Sequence, residues 1–382
     1  MPVPILIATL MRPAGDTGVQ THFRALGRFL DKLGTPCRLL TPFDSPNWQV
    51  YPVFALRKLI DPLNQTASVG WYRHWHATFL RHALAGALKS GTPAVIYAQC
   101  PLSANAALDA RHNVRQKVVM VVHFNISQAD EWAGKGAIKT NGVYFKAIRA
   151  FEARTLPKLD GIVYVSEFMR RELLARIPQL ADVPYAVIPN FLRDPGFERP
   201  DEPPHTDLIT IGTLEARKNQ AYALEIIAAA KRAGRPISLT LVGDGPDRAR
   251  LEALAKELDV LQEVRFAGYV PNAATLMHQH RACLHVARIE NMPLTLIEAL
   301  AHALPVFSPE VGGIPEVFEE GESGRFIPLD APEAAARGIV DWLDRPEQMA
   351  RAGAQARARF LAHFEEAQVA ARLREFLLAG TA

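Results

Sequence analysis

Two carboxylates, Glu290 and Glu298, straddle the start of a predicted helix in the run from Arg288 to Val306. Pro293 suits the first helical turn, where its missing N–H costs nothing. Residues 293–304 are otherwise nearly all apolar, the mark of a helix buried all round. Its polar positions, Thr295, Glu298 and His302, recur at spacings of three and four and form one narrow stripe. One line of the helix is therefore expected to face a wet cleft. Around Pro293, the backbone N–H groups of Asn291, Met292, Leu294 and Thr295 are donors that a helix start leaves unsatisfied, a ready anion site. Any single acid is more often a solvated surface charge. A carboxylate on an otherwise buried helix is costly unless it is paired or functional.

Other segments offer matching chemistry. Thr210 to Gln220 follows a strand and opens a helix, and it places Arg217 and Lys218 beside the helix start. A diphosphate would satisfy both cations and the amides; a solvated Arg-Lys pair is the plainer alternative. Leu241 to Pro246 is a strand end whose Gly243 and Gly245 permit a tight turn and close ligand approach. It is not a dinucleotide fingerprint, because Arg248 occupies the third glycine position. His123 ends the apolar strand Lys117–Val122; a histidine there is more often structural than catalytic.

The elements that must position these groups follow from the pattern of the 382 residues, a length that favours two cores over one. Short β-rich apolar runs predict strands at 3–9, 36–40, 94–98, 118–122, 161–165 and 185–188, then 207–211, 237–242, 263–267, 282–286, 305–308 and 325–328. Helical stretches such as 19–33, 76–89, 143–155, 167–175, 219–233, 247–258 and 332–343 lie between them. This rhythm predicts an α/β architecture of two doubly wound, parallel-sheet domains, whose ligands bind at strand C-termini. The segment 189–206, with Pro189, Pro195, Pro200, Pro203 and Pro204, reads as the linker. No apolar run is long enough to predict a transmembrane helix, and the first ten residues read as a buried strand rather than a signal peptide. Cys37, Cys100 and Cys283 are scattered and predict reduced thiols in the cytoplasm, with neither a disulfide frame nor a zinc site. Residues 1–190 hold 22 Lys and Arg against 12 Asp and Glu, a net charge of +10; residues 191–382 hold 21 against 28, a net −7. The basic half suits an anionic partner or surface. No nucleic-acid-binding module accompanies it.

The segment from Glu290 to Glu298 resembles the E-x7-E signature of retaining glycosyltransferases of family 4, and Val311 to Val317 (VGGIPEV) resembles that family's G-G-x-P-E loop. Thr210–Gln220 is similar to its G-x-L-x-x-x-K-N/G element, with Thr213 where many members carry Arg and Arg217 available to supply that charge. Leu241–Pro246 resembles the V-G-x-G-P turn, and Phe266–Pro271 the loop whose backbone meets the nucleotide base. Gly15–His22 resembles the G-G-V-x-x-H element, with Thr17 replacing the first glycine. Val165-Ser166 and Pro189-Asn190 resemble further strand-end segments.

The resemblance implies the GT-B fold, two facing Rossmann-like domains with a cleft between them. Residues 1–190 would bind the acceptor and residues 191–365 the nucleotide-sugar donor, with a last helix within about 366–382 packing back on the first domain. It implies catalytic roles for Glu290, His123, Arg217 and Lys218. Donor contacts fall to Glu298, Asn291 to Thr295, Gly243, Tyr269, Val270 and Gly18, and acceptor contacts to His22, Asp16 and Thr17. In this scheme Arg217 and Lys218 hold the diphosphate, Glu298 accepts from ribose hydroxyls and Glu290 from those of the transferred sugar. Transfer with retention follows, by front-face attack or by double displacement through Glu290. A nucleotide diphosphate sugar is the donor substrate, with mannose a weak preference; no cofactor and no metal are implied. The acceptor would be a glycan or lipid-linked glycan in polysaccharide or glycoconjugate synthesis. Residues 51–90 interleave Tyr51, Phe54, Trp71, Tyr72, Trp75 and Phe79 with Arg57, Lys58, Arg73 and Arg81. That pattern suits peripheral contact with an anionic inner membrane face, or an ordinary aromatic-rich helix pair. The alternatives on the same scaffold are a sugar phosphorylase, an epimerase and a non-catalytic sugar-nucleotide sensor.

Overall fold

The computed structural model describes residues 2–15, 17–89, 91–196 and 204–381. Asp16 and part of the expected linker, residues 197–203, lie outside the described residues. The chain divides into two compact units, Met1–Pro189 with Glu366–Ala382, and Asn190–Glu365.

The first unit is built on β1 (Ile5–Ala8), β2 (Cys37–Leu40), β3 (Ala94–Ala98), β4 (Gln116–Val122), β5 (Gly161–Tyr164) and β6 (Tyr185–Val187). These form one parallel sheet in the order β2-β1-β3-β4-β5-β6. β3 is buried throughout and β4 everywhere but Lys117, as parallel strands covered on both faces require. The helices are α1 (Gly18–Lys32), α2 (Asn47–Ile60), α3 (Gln65–Ala87), α4 (Pro101–Ala110), α5 (Gln128–Gly134), α6 (Val143–Thr155) and α7 (Glu167–Arg176). Thr17 caps α1: its Oγ1 accepts from the Gln20 amide (3.4 Å) while Gln20 Oε1 accepts from the Thr17 amide (3.2 Å), a capping box.

In the second unit β7 (Thr206–Ile211), β8 (Leu239–Val242), β9 (Val264–Gly268), β10 (His280–Leu284), β11 (Val306–Ser308) and β12 (Gly324–Phe326) form a parallel sheet ordered β12-β11-β10-β7-β8-β9. Its helices are α8 (Gln220–Arg232), α9 (Arg248–Glu257), α10 (Leu294–Ala301), α11 (Pro332–Leu343) and α12 (Pro346–His363). The last helix, α13 (Glu366–Leu378), returns to the first unit, where it packs on α1. All twelve strands fall on the runs expected from the sequence.

Two expectations change. The helix expected over 293–304 is α10, shorter at both ends: Pro293 is its N-cap, and Ala303 turns left-handed at φ 54° so that the Leu304 amide bonds back to the Ala299 carbonyl (2.9 Å). The aromatic and basic residues of 51–90 do not all face outward. Arg73 and Phe79 are buried, Phe54 stacks on His76 at 4.0 Å, and the Arg57 guanidinium lies over the Tyr72 ring. They form the seam of a packed helix pair.

Candidate active site

In the second sheet β7 and β10 are neighbours from which the chain runs in opposite directions, so the loops leaving their C-terminal ends diverge. Such a switch point is where doubly wound sheets bind ligands. Side chains fasten the two exits together. Thr210 Oγ1 donates to the Leu284 carbonyl (2.7 Å), and Asn219 Nδ2 to the Val286 carbonyl (3.1 Å). Asn219 is left-handed at φ 58°, a conformation that asparagine tolerates, and joins the turn Ala216–Lys218 to α8.

This clamp brings Arg217 and Lys218 from the β7 loop against Glu290 from the β10 loop. Lys218 Nζ lies 2.6 Å and Arg217 Nη1 3.4 Å from Glu290 Oε1, and Arg217 Nη2 is 2.8 Å from Glu215 Oε1. His285 Nε2 lies 3.5 Å from the same Glu290 oxygen. Glu290 is only 6% exposed. Burial alone would raise its pKa, but Lys218, His285 and Arg217 outweigh it and hold the carboxyl well below the usual range. For His285 burial wins instead, lowering its pKa despite Glu290.

The glycine loop supports Glu290 from behind. The Gly313 amide donates to the Glu290 carbonyl (2.9 Å), and a Cβ on Gly312, which is left-handed at φ 60°, would lie 2.0 Å from that oxygen. Gly243 at the end of β8 is equally confined, since a Cβ there would lie 2.0 Å from the Gly212 carbonyl. The Gly243 amide donates to Gly268 (2.8 Å), which places exposed Tyr269 and half-buried Val270 at the neighbouring strand end.

Asn291, Met292 and Pro293 are buried and lead into α10, whose start no side chain caps. Asn190 Nδ2 holds the Met292 carbonyl at 2.8 Å. Leu294 and Thr295 are half-buried. One turn further on, Glu298 keeps some exposure, yet desolvation pushes its carboxyl up to about 7. The two glutamates of the signature thus differ: Glu290 is charged and ion-paired, while Glu298 is recessed without an ion-pair partner among the described residues.

The first unit gathers a second cluster. The loop after β1 is stitched by Gln20, whose Nε2 donates to the carbonyls of Arg12 (2.9 Å) and Ala14 (2.8 Å). Gly18 opens α1 behind Thr17. His22 is buried, with its Nε2 3.0 Å from Tyr97 Oη and its ring 4.6 Å from that of His123. His123 follows β4, is half-buried, and is pushed down to about 3 by burial. Its Nε2 has no hydrogen-bond partner among the described residues.

Sequence reasoning thus named the residues of both clusters but assigned no role to His285, Asn219, Gln20 or Tyr97. Gln20 is the exception with a readable signal, since Thr-x-x-Gln before an apolar run is a capping box. Asn219 and Tyr97 act through contacts between segments far apart in sequence, and His285 through a loop that folds back on Glu290 five positions later.

Two doubly wound units, with a cation–carboxylate cluster at the switch point of the second, define a glycosyltransferase of the GT-B class. The chain matches the family model Glycosyltransferase Family 4 over residues 17–193 and Glycosyl transferases group 1 over residues 197–359. It belongs to glycosyltransferase family 4. It is 27% identical over 307 residues to a protein named glycogen synthase from Mycobacterium tuberculosis, covering 78% of this chain and 72% of that one. Among solved structures it resembles sucrose-phosphate synthase from Thermosynechococcus elongatus, with TM-score 0.73, 18% identity and 98% of both chains covered. It also resembles S. aureus TarM, with TM-score 0.66, 15% identity and 79% of this chain covered; it spans 59% of the length of TarM.

Proposed function

We propose that this glycosyltransferase moves a hexosyl group, with retention of anomeric configuration, from a nucleoside diphosphate sugar to a hydroxyl of a glycan or lipid-linked glycan. The observation that carries the reading is the 2.6 Å contact of Lys218 with Glu290 at the strand switch point, beside an uncapped helix start. The relative named glycogen synthase, a name that denotes synthesis of a glycan, supports the acceptor class.

The scheme gives each group a task that its surroundings suit. Lys218, Arg217 and the first amides of α10 take the diphosphate and stabilise the charge that grows on it as the sugar–phosphate bond breaks. On donor binding Glu290 exchanges its cations for hydroxyls of the transferred sugar. Glu298 takes the ribose hydroxyls, and the backbone at Tyr269 and Val270 meets the base across Gly243. His123, neutral at physiological pH, offers Nε2 to the sugar. Gly18 and Thr17 are assigned to donor and acceptor contacts, with Asp16 beside them in sequence, and His22 acts through the His123 ring that it packs against. The acceptor hydroxyl attacks on the face the leaving group vacates and passes its proton to a β-phosphate oxygen. No step uses a metal ion. We place the reaction in the cytoplasm, at the inner membrane face, within a pathway that builds polysaccharide or glycoconjugate. Free Cys37, Cys100 and Cys283 are consistent with that compartment.

The test is calorimetric titration with UDP-, GDP-, ADP- and TDP-sugars, GDP-mannose among them, alongside Lys218→Ala. One nucleotide binding at micromolar affinity, lost in the variant, is the expected result. Binding that survives Lys218→Ala would remove Lys218 from the diphosphate site.

A further inference from the structure

α2 presents its apolar side to water. Its inner side is pinned to α3: Val50 is buried, Trp71 Nε1 donates to the Val53 carbonyl (2.8 Å), and Arg57 Nε to Ser68 Oγ (3.0 Å). At about 100° per residue, Trp48, Tyr51, Pro52, Ala55, Leu56 and Leu59 fall within one arc of roughly 140° on the opposite side. All six are exposed, Trp48 at 76% and Leu59 at 65%, and Leu63 just beyond the helix is 86% exposed. Five of the twelve exposed large apolar side chains among the described residues thus lie within sixteen positions, a concentration that marks an interaction face.

Charge says what that face meets. From residue 45 to residue 108 the sole acid is Asp61, against Arg57, Lys58, Arg73, Arg81 and Lys89. Arg73 is buried, whereas Lys58, Arg81 and Lys89 are exposed. Lys58 borders the apolar arc beside Tyr51. An apolar stripe with Trp and Tyr toward one end and Lys58 at its rim, in a stretch where cations outnumber acids, is the pattern of a helix lying in a lipid headgroup layer. A second copy of the chain would bring the same net positive stretch and its own Lys58 to this face, and like charges oppose that pairing.

We propose that α2 is a membrane-docking helix. It lies parallel to an anionic bilayer with Trp48, Leu56, Leu59 and Leu63 sunk into the headgroup–acyl boundary and Lys58 against lipid phosphates. The face is not the aromatic seam of α3, which is used up in packing. Vesicle binding requires no sugar nucleotide, so this assignment stands or falls apart from the transfer reading.

The experiment is flotation of the full chain, without donor, on phosphatidylcholine vesicles with and without phosphatidylglycerol. It is run beside the double variant Leu56→Gln with Leu59→Gln, and beside Lys58→Glu. Both sets of positions are exposed, and circular dichroism confirms that the variants keep the fold. Binding to the anionic vesicles is expected, reduced by at least about tenfold in the leucine variant, the scale of removing two leucines from an apolar surface. Lys58→Glu is expected to weaken the preference for anionic lipid. A blue shift of tryptophan emission with vesicles, diminished in Trp48→Phe, would place that ring in the boundary. Absent flotation, or flotation unchanged in the leucine variant, overturns the proposal. So does a dimer in sedimentation that the leucine variant dissolves, which would give the face to a second copy.

Discussion

Glu290 and Glu298 sit eight positions apart and live in opposite electrostatic worlds. Lys218 and Arg217 fix the charge of the first, while burial pushes the second from an ordinary 4.5 up to about 7. Between those two values the folded protein holds a proton that the unfolded chain has released. Stability therefore falls as pH rises from about 4.5 through about 7, by up to about 3 kcal/mol, and Glu298→Gln should flatten that dependence. Donor affinity should run the other way. Only the ionised carboxylate accepts from both ribose hydroxyls, so affinity for a sugar nucleotide should climb as pH passes through about 7. The diphosphate of such a donor is esterified at both ends and carries no proton in that range, which leaves Glu298 as the group read out. Calorimetry from pH 5.5 to 8.5 on the wild type and Glu298→Gln checks both halves. A wild-type affinity as flat as the variant's would take Glu298 out of the ribose site.

At the level of elements, the glycine loop after β11 is what aims Glu290. Gly312 combines a left-handed backbone with a Cβ position 2.0 Å from the Glu290 carbonyl. Gly312→Ala therefore adds left-handed strain of about 1–2 kcal/mol and a clash that moves Glu290 off Lys218. The expected outcome is a small drop in melting temperature with a much larger loss of donor affinity; donor affinity at the wild-type level would mean that the loop yields elsewhere. The strands were legible because parallel strands buried on both faces are short continuous apolar runs, as β3 and β4 are. Helices with clear periodicity, such as α1 and α11, were legible for the same reason. The pattern is weakest where burial departs from it. α4 is apolar almost all round because it is buried on most sides, and α2 is apolar on its solvent side, so neither shows an ordinary amphipathic stripe. Motif spacing pointed to Glu290 and Lys218 singly, but their contact spans 72 positions. It depends on strand order, which local pattern does not encode. His285 had no motif at all.

For the whole molecule, the question is what ties the end of the chain to its beginning. α13 lies beyond the second unit in sequence, yet it completes the first. Val369, Leu373 and Leu377 are buried, Arg374 Nε donates to Thr35 Oγ1 (3.0 Å), and Lys117 Nζ reaches the Ala379 carbonyl (2.8 Å). Gly161 on β5 makes room for the Phe376 ring, which would lie 3.2 Å from any Cβ there. The first unit thus owes part of its core to residues more than two hundred positions away, 262 for Lys117 and Ala379 and 339 for Thr35 and Arg374, long-range contacts whose closure costs loop entropy. Leu373→Ala should open a cavity in that core at a cost of about 2–5 kcal/mol. Because the side chain belongs to the first unit alone, the loss should be confined there. Amide hydrogen exchange should quicken across α1, β3 and β5 while β7, β8 and β10 keep their protection, and donor affinity at the second unit should be unchanged. Faster exchange spread equally over both sheets would instead show that the two units unfold as one cooperative body.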